Sequence, residues 1–311
     1  MSCIMSNFNT KPDYLKESIG SILNQTFKDF ELIIVDDCSS DNSGEILKEF
    51  ALADNRVKLI WNEKNLGLPK ALNVAIANAC GEYIARMDTD DVSLPDRFEK
   101  QIEYIENNGL DLVGSETNRM DENGDIYLEG ANKSYSSETI SEILTLTDCV
   151  AHPTWFARRG VFLELNGYRD IKSCEDYDFL LRARRMGFRI GITDNVLLNY
   201  RHNPQSISRT NALRQLLTSL YLSKHFDDID NVSIEDIYHY VEKRCSDKQS
   251  KKYAIAAKYY EMFSVEVRKN KFKALSFLVK AFLKSKYVFK DFNRSLKVYK
   301  IKKKLGKIAN E

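Results

Sequence analysis

A chain of 311 residues, 43% hydrophobic and 29% charged, is long enough to bury one large core or two smaller ones. Its 13 Gly and 5 Pro exclude disordered, collagen-like and mucin-like classes. The net charge of +1 hides an asymmetry: residues 268–311 carry a net +13 and the rest a net −12, which speaks about partners rather than fold.

No apolar run approaches the ~20 residues of a membrane span, and Met1-Ser2-Cys3-Ile4 has no signal-peptide pattern. A cytosolic protein is expected. Its six cysteines (Cys3, Cys38, Cys80, Cys149, Cys174, Cys245) include no C-x-x-C pair, so free, inert thiols are expected rather than zinc or a disulfide framework.

The first half alternates strand and helix signals. Cys3–Met5 starts a strand, and Asp13–Asn24 sets Leu15, Ile19, Ile22 and Leu23 on one helical face behind Pro12. Glu31–Val35 is a continuous apolar run, as suits a strand buried on both faces. Asp41 or Asn42 then caps a helix carrying Ile46, Leu47 and Phe50. Val57–Trp61, Tyr83–Met87 and Leu110–Gly114 read as strands, with helices over Leu68–Ala79 and Leu94–Asn107 between them. This βαβα order predicts an α/β fold with a mostly parallel sheet flanked by helices. Beyond residue 115 the spacing predicts a hairpin at Met120–Leu128, strands at Trp155–Arg158 and Val196–Tyr200, and a helix over Asp176–Met186. From about Asn211 onward the chain reads as helices only.

Three polar clusters follow strand ends: Ser6-Asn7-Phe8-Asn9, Asp36–Asp41, and Asp88-Thr89-Asp90-Asp91. In a parallel sheet such loops share the edge where ligands bind. Three carboxylates within four residues repel one another unless a cation sits between them, and Mg²⁺ or Mn²⁺ prefers such oxygen ligands. A solvated acidic turn ahead of Pro95 is the plainer alternative. There is no G-x-G-x-x-G and no G-x-x-x-x-G-K-S/T, so hydride transfer and P-loop phosphoryl transfer lack their usual phosphate cradle.

These motifs resemble family 2 glycosyltransferases of the GT-A fold, the kind that builds bacterial capsule or O-antigen polysaccharide. The carrying segments are Tyr14–Ile19 with Ser21–Phe27, Phe30–Asp37, Asn65–Leu68, Gly81–Arg97 and Glu175–Phe179. The match runs over roughly residues 2–208. It implies a Rossmann-like, nucleotide-binding GT-A domain over 1–208 and a helical, basic C-terminal extension over 209–311. It also implies an inverting, metal-dependent transfer from a UDP-sugar, with Mn²⁺ or Mg²⁺ as cofactor.

By this resemblance Ser6 and Phe8 hold the uridine, with Phe8 replacing the more usual tyrosine, and Asp37 bonds the uracil N3–H. Asp88 and Asp90 form the D-x-D pair for metal and donor. Asp176 is the general base that deprotonates the acceptor hydroxyl; at a helix start, it could equally be a first-turn acid favoured by the dipole. Asp178 is structural or a helper. Asp91, Glu175, His152, His202 and Arg86 are further candidates. Lys70, like Arg86, could meet the diphosphate or be a solvated surface charge. His152 could touch the acceptor or the diphosphate, and could equally be a core or loop histidine. At Arg201-His202-Asn203 the chain departs from relatives that carry histidine one position later, where Asn203 stands.

In the tail, Lys271–Asn293 places Leu275, Leu278, Phe282, Phe289 and Phe292 on or near one helical face, with lysines off it. A basic amphipathic helix reads as membrane-surface binding, here at the inner face of the cell membrane beside a lipid-linked glycan acceptor. A helix packed on the catalytic domain is the alternative. Nucleic acid is not expected as a partner, given the acidic body and the lack of a recognisable module. Two rivals remain for the whole chain: a non-catalytic sugar-nucleotide-binding scaffold, and a sugar-phosphate nucleotidyltransferase, whose Gly-rich start is absent.

Overall fold

The computed structural model describes residues 1–202, 211–267 and 269–308, with side chains through Lys304. The chain divides into two compact units, Met1–Ser141 with Asp148–Pro204, and Glu142–Thr147 with Gln205–Glu311. The boundary expected after residue 208 lies outside the described residues.

The first unit opens with β1 (Ser2–Asn7), α1 (Pro12–Leu23), β2 (Glu31–Asp36), α2 (Ser43–Ala53), β3 (Val57–Trp61), α3 (Leu68–Asn78) and β4 (Tyr83–Met87). The βαβ reading holds here: β3, β2, β1 and β4 lie side by side and pair in parallel. Residues 32–35 of β2 and 3–5 of β1 are fully buried, which explains their unbroken apolar runs. α1 sets Leu15, Ile19 and Ile22 into this core.

Beyond β4 the sheet is mixed. The two-residue β5 (Val92–Ser93) precedes α4 (Arg97–Asn107), β6 (Leu112–Met120), β7 (Ile126–Leu128) and α5 (Ser137–Leu144). Then come β8 (Phe156–Arg158), α6 (Arg159–Glu164), α7 (Glu175–Arg185) and β9 (Ile190–Arg201). β8 runs antiparallel between β4 and β6, β9 pairs with β6 in parallel, and β5 closes the far edge against β9. β6 and β9 are both longer than their apolar cores suggest. Their outer halves pair residue by residue from Glu116–Met120 to Val196–Arg201, past two register irregularities. The expected hairpin forms between β6 and β7.

The described part of the second unit beyond residue 210 is helical: α8 (Ala212–Lys224), α9 (Ile234–Glu242), α10 (Asp247–Glu266), α11 (Lys271–Lys284), α12 (Lys286–Ile308) and a short 3₁₀ turn at Phe226–Asn231. The single amphipathic helix expected over Lys271–Asn293 is instead two. Ser285 takes extended angles (φ −152°, ψ 122°) and resets the face. Leu278 is buried, whereas Phe282, Phe289 and Phe292 stack on one another in T-shaped pairs. Among the described residues no helix is long and apolar enough to cross a membrane.

Candidate active site

The parallel register brings the carboxyl ends of three strands together, with Asn7 opposite Asp36 and Met5 opposite Met87. The loops leaving them are stitched to each other. Asn7 Nδ2 donates to Asp36 Oδ1 (2.7 Å) and to Ser39 Oγ (3.0 Å), and Ser40 N donates to Asn9 Oδ1 (2.8 Å). Asn9 and Cys38 hold positive φ (51° and 63°) where these loops turn. The Thr10 and Thr89 hydroxyls bond at 2.7 Å, and Ser18 of α1 donates to the Asp88 carbonyl at 2.8 Å, which fixes the acidic loop.

The acidic pair after β2 serves the scaffold first. Asp36 accepts from Asn7 and Ser39. Asp37 accepts from Asn62 Nδ2 (2.7 Å), Leu66 N (2.9 Å) and Gly67 N (2.8 Å), so it pins the loop that enters α3. A carboxylate has about four acceptor positions, which leaves one on Asp37 Oδ2. Ser6 sits partly exposed near the end of β1, and Phe8 just beyond is 50% exposed, a bare ring at the edge.

Asp88, Asp90 and Asp91 converge, each offering a carboxylate oxygen within 4.8 Å of the others. Burial, then the Asp88 charge, pushes Asp90 up to about 6. Asp91 is driven well above the usual carboxylate range by burial and by both neighbouring charges. Its Oδ1 accepts the Arg201 N–H at 2.8 Å, while its Oδ2 is buried without a hydrogen-bond partner. Crowded carboxylates and an orphaned buried oxygen are the pattern a hard divalent cation relieves, so the residues fit such an ion. Arg86, buried on β4, supplies part of the countercharge through an ion pair with Asp88.

The second carboxylate group lies at the start of α7. Asp176 Oδ1 accepts the Tyr177 N–H at 2.7 Å, and its carboxyl is hydrogen-bonded to that of Asp148. Burial raises Asp176, with Arg86 among the influences opposing it. Asp148 is held well above the carboxylate range by burial and the Asp176 charge. Burial and the Asp176 charge push Glu175 to about 8, which keeps it protonated at neutral pH. Asp178 is fully buried and held by Arg169 and by Arg182 Nε (2.9 Å). Of the two roles expected for Asp178, the structural one describes this geometry.

Arg86 ties the two groups together, since its charge lowers Asp90, Asp91, Glu175 and Asp176 alike. The Arg86 N–H bonds the Trp155 carbonyl at 2.9 Å, which brings in the 3₁₀ turn His152–Thr154. His152 Nε2 bonds the Tyr168 hydroxyl at 2.8 Å and its ring packs 4.5 Å from Trp155. Burial and Arg86 hold it well below the usual histidine value. Lys70 pairs with Asp170 at 2.7 Å. His202 donates its backbone N–H to the Met120 carbonyl (2.8 Å), and its ring lies edge-on to Tyr127. Asn203 lies outside the described residues.

Two contributors escaped the sequence reading. Asp148 sits in an undistinguished stretch, four residues before His152. Arg201 was noted only for its neighbours, yet its Nε bonds the Asp90 carbonyl at 2.8 Å and its guanidinium pairs with Glu17. The available signal was a cation ending a long strand.

The sequence model of glycosyl transferase family 2 matches residues 2–165, more than half of the chain. An uncharacterized glycosyltransferase of Methanocaldococcus jannaschii is 36% identical over 72% of this chain and 78% of its own. The O-antigen biosynthesis glycosyltransferase WbnJ of Escherichia coli is 39% identical over 63% and 78%. The crystal structure of S. aureus TarS in complex with UDP-GlcNAc shares the fold, with a TM-score of 0.58 at 19% identity, covering 90% of this chain and 88% of that one. The chain belongs to glycosyl transferase family 2 and is a glycosyltransferase of the GT-A fold.

Proposed function

We propose that the protein transfers a sugar from a nucleotide-sugar, a UDP-sugar, to a hydroxyl of a lipid-linked glycan, with inversion, in surface polysaccharide synthesis. The observation that carries this is the buried Arg86, which acts on the Asp88–Asp91 cluster and on the Glu175–Asp176 pair together. Two carboxylate groups around one cation suit a reaction that stabilises a leaving group on one side and removes a proton on the other. The UDP-GlcNAc complex of TarS supports the donor class, and the O-antigen role of WbnJ supports the acceptor class.

Asp88 and Asp90, with Asp91 behind them, would hold Mn²⁺ or Mg²⁺. Such an ion neutralises charge that develops on a departing diphosphate. Ser6 and Phe8 are assigned to the uridine, and the acceptor position left on Asp37 to the base N–H. Asp176, which accepts the Tyr177 N–H and is hydrogen-bonded to Asp148, takes the acceptor proton as the hydroxyl attacks. The single displacement inverts the anomeric centre. We assign the protein to the inner face of the cell membrane, held there by its basic C-terminal helices.

The test is UDP release from a panel of UDP-sugars with Mn²⁺, Mg²⁺ or EDTA. Metal-dependent release from one sugar establishes donor and metal role together. No release, together with no UDP binding by calorimetry, overturns the proposal in favour of a scaffold.

A further inference from the structure

On α11, Ala274, Phe277, Leu278 and Ala281 are buried, so this face packs against its own unit. The opposite face is not polar. Phe272 is 89% exposed and Leu283 81%, and Leu275 and Val279 between them are also exposed. At 100° per residue these four fall within an arc of about 80°. Exposed Lys280 lies about 60° beyond one edge of the arc and exposed Lys271 about 40° beyond the other. The helix carries no acidic residue, and Lys273, on the same side as Lys280, pairs with Glu266.

We propose that Phe272, Leu275, Val279 and Leu283 insert into the acyl boundary of an anionic lipid leaflet while the flanking lysines meet its headgroups. This rests on the membrane placement proposed above, and names the face that makes it; it does not depend on the chemistry of the site. A lone apolar stripe on a soluble helix invites a second copy as readily as a bilayer. Charge decides between them. Residues 268–311 carry a net +13, so two such tails face to face repel, whereas an anionic leaflet attracts. A nucleic-acid backbone would answer the lysines but leave the apolar stripe in water. An interfacial helix with large apolar residues between lysines satisfies both.

The experiment is flotation of the full chain with phosphatidylcholine vesicles and with vesicles about 30% in phosphatidylglycerol. The wild type is expected to float with the anionic vesicles only. The double variant F272E/L283E is expected to lose at least about tenfold in apparent affinity. Both positions are exposed, so circular dichroism and UDP-sugar turnover in solution should stay at wild-type level. If the wild type floats and F272E/L283E floats equally well, the face is wrong while the membrane placement stands. If the wild type floats with neither vesicle, both fail. A dimer in sedimentation velocity that F272E/L283E dissolves overturns the inference in favour of a second copy.

Discussion

The Asp148 and Asp176 carboxyls are hydrogen-bonded to one another, a contact that raises Asp148 and lowers Asp176. Asp148 Oδ1 accepts the Val150 N–H at 3.1 Å, which orients the group. The bond lowers the proton affinity of Asp176 against a burial that raises it. Asp148→Ala should therefore move the acid limb of kcat to higher pH and cost about tenfold near neutrality. Asp148→Asn keeps a donor and should restore the limb, because the amide can donate to Asp176 while its oxygen still accepts from Val150. A pH profile of Asp148→Ala that matches the wild type would sink the assignment.

Asp176→Asn should keep donor binding and lower transfer about 10²–10⁴-fold, the usual contribution of a general base. The raised proton affinity of Asp176 sets the sign of the pH dependence: kcat rises with pH as this carboxyl ionises. Glu175 beside it is raised as well, to about 8, by burial and the Asp176 charge. Calorimetry with UDP and product analysis on the same preparation separate binding from chemistry. Near-normal transfer by Asp176→Asn removes it from the mechanism.

Much of this was legible because the parallel half of the sheet is built from local signals. Apolar runs such as Leu32–Val35 end in polar loops, and those loops must share an edge. The mixed half was less legible, because β5 is only two residues long and exists through pairing with Asn199 and Leu198, more than a hundred positions away. The same reason hides Asp148 and Arg201, whose partners lie elsewhere in the sequence. The ring contacts of His152 with Trp155 and Tyr168 are likewise invisible to local spacing. In the tail, one extended residue at Ser285 moved the exposed apolar face away from the one that periodicity selects.

Asp178 separates a structural acid from its neighbour two positions earlier. Both of its oxygens are occupied by Arg169 and Arg182, with no exposed surface. Arg182 also spans the Leu165 and Gly167 carbonyls at 2.8 Å each, so the pair anchors the start of α7 to the loop before it. Asp178→Ala leaves buried guanidinium charge uncompensated and should cost about 3–5 kcal/mol, seen as a lower urea midpoint. Asp176→Asn should leave that midpoint near wild type. Equal midpoints for Asp178→Ala and the wild type would contradict the clamp.

Asp90, at about 6, and Glu175, at about 8, both hold protons more tightly folded than unfolded. For a raised carboxyl, unfolding releases a proton between the two values, so stability falls as pH rises. The contribution is complete below about pH 4 and gone above about pH 8. Thermal melts in EDTA should show Tm declining across this window. Mn²⁺ with UDP should restore Tm at the upper end, because a cation favours the ionised cluster that pH alone destabilises. Asp90→Asn should flatten the lower part of the decline and remove the Mn²⁺ response. A Tm that climbs from about pH 5 to about pH 8 in EDTA would show that Asp90 is already neutralised by the Arg86 and Arg201 charges and Glu175 by Arg86, and would leave the cluster no need of a metal.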